Sequence, residues 1–180
     1  MKEISLNVLD IAENSVKANA TLTEIFIDEA GDTLTLTIKD DGCGMNEETV
    51  KSVIDPFYTT RTTRKVGLGI PLLKLACEQT GGTLSITSSV SETDHGTTVT
   101  AVFYKNHIDF TPLGDIISSI VTLIQGHPDT DFLFRHVTDK GTAELDTREI
   151  RAVLEDVPLD TYEVIIWIGD NLREQYKAFN

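Results

Sequence analysis

Thr33-Leu34-Thr35-Leu36-Thr37-Ile38-Lys39-Asp40-Asp41-Gly42-Cys43-Gly44-Met45 is the stretch that decides the fold. Its first half alternates, placing Leu34, Leu36 and Ile38 on one face of a strand and threonines on the other. Its second half closes the strand with two carboxylates and two glycines. Glycine lets a backbone enter positive φ and come close to a ligand. Asp-Gly is equally a hairpin signal, so the string alone leaves two readings, a tight turn or a ligand-facing strand end.

The upstream sequence supplies a hairpin partner and a helix. Residues 22–29 alternate around Ile25 and Ile27 and can pair with 33–39 across Gly31-Asp32. Leu6, Leu9, Ala12, Val16 and Ala20 follow helical spacing, which predicts an amphipathic helix over 3–18. On it Asp10 and Asn14 lie four apart and share a face, with Lys17 three further on. Such a triplet is commonly a solvated face. The same groups also suit a magnesium–triphosphate: the Asn oxygen for a hard cation, the Lys charge for phosphate, and the Asp to orient a water.

Downstream, Asn46 is placed to cap a short helix over 46–53, with Glu47 and Glu48 favouring its N-terminal dipole. Asp55 to Lys65 is polar, basic and aperiodic, which reads as a loop. It leads into Val66-Gly67-Leu68-Gly69-Ile70, opening a helix through Leu72, Leu73, Leu75 and Ala76 that Gly81-Gly82 ends. A glycine-rich turn at a helix start offers free N–H groups to phosphate. Arg61, Arg64 and Lys65 just before it favour an anionic ligand. Strands at 83–90 and 97–104 complete a helix–strand–strand–helix–loop–helix–strand–strand order. That order specifies a two-layer α/β sandwich, its sheet mixed and mostly antiparallel with helices on one face. Neither G-x-G-x-x-G nor G-x-x-x-x-G-K-[ST] is present, which excludes Rossmann and Walker readings.

Composition narrows the class. The 180 residues, 40% hydrophobic and 24% charged, fit a globular protein of one domain or one domain with an appendage. No apolar run approaches the ~20 residues that span a bilayer. The N-terminus has no signal-peptide core, so a cytoplasmic location is expected. A net charge of −14 argues against nucleic acid as a partner. Cys43 and Cys77 make no disulfide framework, and of two readings of Cys43, a redox sensor or a small buried residue, the buried one is expected.

Together the motifs resemble the histidine-kinase-like ATPase superfamily, the ATP-binding domains of gyrase, Hsp90, histidine kinases and MutL. Asp10-Ile11-Ala12-Glu13-Asn14 resembles its N box, Asp40-Asp41-Gly42-Cys43-Gly44 its first glycine box and Pro56-Phe57-Tyr58-Thr59-Thr60 its phenylalanine box. Gly67-Leu68-Gly69 resembles the second glycine box, and Gly96-Thr97-Thr98-Val99 the strand beside adenine. The resemblance spans residues 1–105 and implies a Bergerat-type fold that binds ATP and Mg²⁺. It implies that Asn14 ligates Mg²⁺, that Asp40 reads the adenine amino group, and that Lys17, Arg61 and Arg64 neutralise phosphates. Gly42, Gly44, Met45, Phe57, Thr59, Gly67, Leu68, Gly69, Thr97 and Thr98 would line the nucleotide. Asp10 stands where hydrolytic branches carry Glu, one methylene shorter, and is the implied catalytic residue. Lys65 replaces the usual first glycine of the second box.

Lys17 and Pro-Phe-Tyr-Thr-Thr-Arg resemble the kinase branch, yet His95, His107, His127 and His136 lie outside a phosphoacceptor helix context. The resemblance therefore points to the anti-sigma-factor serine kinases and to stand-alone bacterial ATPases. Two functions follow: a slow ATPase or serine/threonine-type protein kinase acting on a protein partner of redox or regulatory kind, or a non-catalytic ATP/ADP-gated regulatory module. A homodimer is compatible with the family.

Residues 107–180 read as a small α+β unit that docks on the ATP domain, on a partner or on a second copy. Thr111-Pro112 predicts a helix start, 132–136 alternates, and capping boxes at 146–149 and 160–163 open helices over 147–155 and 161–178. The unit carries six Lys/Arg against fourteen Asp/Glu, which suits a partner with a basic surface. No catalytic or metal-ligand spacing stands out in it.

Overall fold

The strand pair quoted above forms the middle of a six-stranded sheet. The computed structural model describes residues 3–55 and 67–179. Within them the chain runs α1 (Ile4–Lys17), β1 (Leu22–Ala30), β2 (Thr33–Asp40), α2 (Glu47–Ile54), α3 (Gly69–Gln79), β3 (Thr83–Val90) and β4 (His95–Tyr104). It continues through α4 (Ile116–Gly126), β5 (Asp131–Thr138), β6 (Gly141–Asp146), α5 (Thr147–Leu154) and α6 (Tyr162–Tyr176). The strand order is β3-β4-β2-β1-β5-β6. Every neighbouring pair is antiparallel except β1 with β5, so the sheet is mixed and mostly antiparallel.

Alternation decides which face is covered. Ile25, Ile27, Leu34, Leu36 and Ile38 are buried on one face with Val99, Ala101, Phe103, Phe132 and Phe134. Against them pack Ile4, Val8 and Ile11 of α1, Leu73 and Cys77 of α3, Ile120 and Leu123 of α4, and Ile168 and Leu172 of α6. Each large side chain taken fully out of water contributes about 1.5–3 kcal/mol, which holds the helices to the sheet. The threonines of β2 lie on the opposite, less covered face.

Residues 107–180 join this core directly. β5 pairs with β1 from Leu22↔Asp131 to Asp28↔Val137, α4 lies on α1, and α6 lies on α4. Two local expectations fail here. The Thr111-Pro112 helix start is not used: α4 begins at Ile116, with Asp115 as its cap accepting from Ser118 N–H at 2.9 Å. The Pro112 and Leu113 carbonyls instead accept from Ile4 and Ser5 N–H, capping α1, and Gly114 at φ +76° turns the chain into α4. The expected box at 160–163 also does not form, since α6 is capped at Thr161 without a side-chain hydrogen bond. At 146–149, Asp146 does cap α5, accepting from Arg148 N–H.

Candidate functional site

The two carboxylates that end β2 diverge, because consecutive strand residues point to opposite faces. Asp41 turns back to the α1–β1 connection, where it accepts from Thr21 N–H at 2.8 Å, Leu22 N–H at 3.0 Å and the Thr21 hydroxyl. Burial alone would raise its carboxyl, but these donors outweigh it and hold Asp41 below the ordinary carboxylate value. It too keeps an acceptor position, but it is exposed and ties the end of β2 to the α1–β1 connection.

Asp40 points into the helix-covered side. Its Oδ1 accepts from Gly42 N–H at 2.9 Å and Thr97 N–H at 3.3 Å, and its Oδ2 from the Ser15 hydroxyl of α1 at 2.7 Å. A carboxylate has about four acceptor positions, so one remains, on Oδ2. Half-buried and fixed by three donors, Asp40 is a preoriented acceptor.

The glycines provide clearance around it. A Cβ on Gly42 would sit 2.8 Å from the Ala18 Cβ, and one on Gly44, at φ +71°, would sit 1.8 Å from the Ser89 carbonyl oxygen. These contacts press the loop between the end of α1 and the end of β3. Met45 N–H donates to Ser88 Oγ at 2.7 Å, Ser88 donates to the Gly96 carbonyl at 3.0 Å, and Thr97 Oγ1 lies 2.8 Å from Ser88.

On α1, Asp10, Asn14 and Lys17 are exposed along one face, with no side-chain hydrogen bond or ion pair among the described residues. Gly69, the first residue of α3, faces them: a Cβ there would lie 3.3 Å from Asp10 Cβ. Leu68 caps α3 without a side-chain hydrogen bond, so among the described residues the N–H groups of the helix start have no capping partner. Gly67 and Leu68 are exposed beside it. Asp40, Gly42 and Gly69 thus meet α1, which carries Asp10, Asn14 and Lys17, while Gly44, Met45 and Thr97 lie against the ends of β3 and β4 beside Asp40. Thr98 does not: its side chain lies on the opposite face, between Lys39 and Thr87 in register. Phe57, Thr59, Arg61 and Arg64 lie outside the described residues, as does Lys65.

Cys43 corrects its expected burial. It is exposed, because Gly42 takes the packed position under Ala18 and leaves the next side chain facing out. Cys77 is the buried thiol, and burial pushes it up to about 11. Cys43 lines a cavity of about 350 Å³ with His95, whose Nδ1 lies 2.7 Å from the Gly42 carbonyl oxygen.

Sequence reasoning missed Ser15 and Ser88. Ser15 falls on the apolar stripe of α1, four after Ile11, and a lone polar residue on such a stripe was the available signal. Continuing the alternation Leu84, Ile86, Ser88 puts Ser88 on the face of Thr97. Thr23, register partner of Asp40 on β1, was also passed over. Its Oγ1 is buried without a hydrogen-bond partner among the described residues.

Residues 2–107 match the family model described as histidine kinase-, DNA gyrase B-, and HSP90-like ATPase. A sensor histidine kinase YvrG of Bacillus subtilis is 33% identical over 98 residues, covering 51% of this chain and 16% of that protein. The heme sensor protein HssS of Staphylococcus saprophyticus is 31% identical over 99 residues, covering 53% and 21%. The match therefore spans about a fifth or less of these curated relatives' length. Among solved structures, the Aquifex aeolicus MutL ATPase domain complexed with ADP aligns at TM-score 0.57 and 15% identity, over 86% of this chain and 70% of that one. The N-terminal domain of a DNA repair protein aligns at 0.56 and 18%, over 81% and 52%. These two share the fold well beyond residue 107.

Proposed function

This chain belongs to the histidine kinase-, DNA gyrase B-, and HSP90-like ATPase family, and on that premise we propose that it binds Mg²⁺-ATP against α1 and acts as a slow ATPase or serine/threonine-type kinase on a protein partner. The observation that carries the reading is Asp40, a half-buried carboxylate on the helix-covered side, held by Gly42, Thr97 and Ser15 with an acceptor position left over. An exocyclic amino group is a donor of the kind that position accepts.

The residues present fit the nucleotide and its cation. Asp10, Asn14 and Lys17, without side-chain partners among the described residues, share one helix face, and Asp10 stands beside the start of α3, where Gly69 leaves no side chain in the way. Among the described residues no cluster of three His, Cys, Asp or Glu makes a metal cage. A cation at this site would be held mainly by phosphate oxygens and water, with the Asn14 amide oxygen as protein ligand. When bound, Mg²⁺ would offset negative charge on the phosphates, including that developing on the departing ADP. Lys17 and the α3 N–H groups stabilise the same negative charge, which is the larger part of phosphoryl-transfer catalysis. Asp10 orients the attacking oxygen, a water in the ATPase or a partner's hydroxyl in the kinase, and accepts its proton.

A second reading is a nucleotide-gated binding module without chemistry. It draws on Asp10 itself, whose carboxylate has no partner among the described residues to fix its direction. Calorimetric titration of ATP with and without Mg²⁺, followed by phosphate release, separates the two. Asp40→Asn turns an acceptor toward a donor and weakens ATP at least about tenfold; unchanged affinity would refute the site. Turnover that Asp10→Ala abolishes while ATP still binds supports the enzyme. Tight binding without turnover in the parent protein supports the module.

A further inference from the structure

At the far edge of the sheet, β6, α5 and α6 enclose an open groove of about 680 Å³. Its floor and walls are Leu145, Ile150, Val153, Leu154, Val164 and Trp167. Val153 is 83% exposed and Trp167 53% exposed, and the two share this one groove. Exposed apolar surface of this kind, rimmed by polar groups, marks a docking site. An enclosed small-molecule pocket buries most of its ligand, whereas this trench leaves its principal apolar side chains open to solvent.

The rim is acidic. Glu149 and Glu163 border the groove and have no ion-pair partner among the described residues. Glu144 and Asp146 also border it, paired with Arg135 at 3.4 Å and Arg148 at 2.7 Å. A second copy of this chain, itself at net charge −14, would bring like charge to that rim. A basic partner is favoured.

The groove also selects the partner's conformation. β6 is an edge strand, and an open edge invites strand addition. Here it is blocked at its centre: the Gln175 amide accepts from Glu144 N–H at 2.8 Å and donates to the Glu144 carbonyl at 3.0 Å. A docking segment must therefore engage side chains. Ile150, Val153 and Leu154 on α5, with Val164 and Trp167 on α6, present helical i, i+3, i+4 spacing suited to helix-in-groove packing.

We propose that the β6–α5–α6 groove docks a basic amphipathic helix of a protein partner. The assignment does not depend on the nucleotide reading, because none of its residues belongs to the site around Asp40.

Trp167 is the only tryptophan of the chain and lies in the groove, so its emission reports occupancy. The full chain is titrated with two synthetic helices of about 18 residues, five turns, free of tryptophan and tyrosine. One carries leucines on one face and lysines on the other; its mate has glutamates for the lysines. The lysine peptide is expected to shift Trp167 emission to the blue, saturating at one peptide per chain, and to bind more than about tenfold tighter than its mate. Val153→Asp, at an exposed position that the fold does not need, and the pair Glu149→Lys with Glu163→Lys each weaken it about tenfold or more with unfolding transitions unchanged. An absent shift, equal affinity for both peptides, or affinity retained in Val153→Asp would overturn the proposal. So would a shift that grows with protein concentration alone, which would give the groove to a second copy.

Discussion

β1 carries a polar cluster at each end, both on the helix-covered face, and the two have opposite characters. Near its start, Thr23 lies in register with Asp40, around which Ser15, Thr97 and Gly42 donate. Near its end, Glu29 accepts from Lys105 Nζ at 3.0 Å and lies 3.0 Å from His136 Nε2, while His136 Nδ1 lies 2.7 Å from the Tyr176 hydroxyl. The second cluster is closed at His136. With a neutral ring, Nε2–H donates to Glu29 and Nδ1 accepts from Tyr176, a tautomer assigned from the network, and Phe179 stacks edge-on at 5.2 Å. The first is open, with one carboxylate position unused and glycines where side chains would crowd. The difference lies in the buried ring, both of whose nitrogens are engaged, against the half-buried Asp40, which keeps an acceptor position on the helix-covered side.

Placing a methyl group in the open cluster should give the largest effect. Gly44→Ala forces φ +71° on a residue with a Cβ and drives that atom to 1.8 Å from the Ser89 carbonyl oxygen. The expected loss is roughly 2–4 kcal/mol of stability together with ATP binding. Gly126→Ala, at the end of α4 with nothing within 4 Å, serves as the control and should cost nothing measurable. Chemical denaturation of both variants checks the contrast, and a Gly44→Ala protein as stable as Gly126→Ala would remove the argument for tight packing under the loop.

The closed cluster should instead betray itself by pH. Burial holds His136 below its ordinary value, against the opposing pull of the Glu29 hydrogen bond and the charges of Glu29 and Asp28, while Lys105 adds to the lowering. Burial also pushes the Tyr176 hydroxyl up, with Glu29 as the second cause. An unfolded histidine takes its proton near pH 6.5. Because the folded pKa is lower, the contribution is complete above about pH 6.5 and is lost as pH falls from there toward the folded value. The denaturation midpoint should therefore drop between pH 8 and pH 5.5. His136→Gln should flatten that drop whatever it does to stability at pH 8, and an undiminished slope in the variant would assign the pH dependence elsewhere.

How far the sequence reveals these clusters depends on whether the signal is local. β2 and its glycine box were legible because alternation and Asp-Asp-Gly-Cys-Gly are contiguous. Helix α1 was legible from its stripe. The pairing of β5 with β1 was not, since a parallel contact made across about a hundred residues leaves no mark on either strand. The Glu29–His136–Tyr176 cluster was hidden for the same reason. Thr98 illustrates a different failure: neighbouring strand residues face opposite ways, so Thr97 and Thr98 cannot both turn their side chains toward Asp40. Counting back from the buried Val99 selects Thr97. At the α4 start, Thr111-Pro112 carried a valid local signal that lost to non-local hydrogen bonds with α1.

The smallest effect, and the finest discrimination between the two clusters, belongs to Thr23. Its side chain is fully buried, and its hydroxyl lacks a partner among the described residues while lying in register with Asp40 and Phe132. A buried hydroxyl without a hydrogen bond is a standing cost, and valine has the same shape, β-branching and strand preference without it. Thr23→Val should therefore raise stability by about 1 kcal/mol, read as a higher denaturation midpoint at constant m-value. If the hydroxyl is kept for the open cluster, ATP affinity should fall in the same variant, the direction expected where function and stability oppose each other. A gain in stability with affinity unchanged would make Thr23 a packing defect unrelated to Asp40. A loss of stability would show that the hydroxyl is already satisfied, and that the cluster around Asp40 is less open than its acceptor count implies.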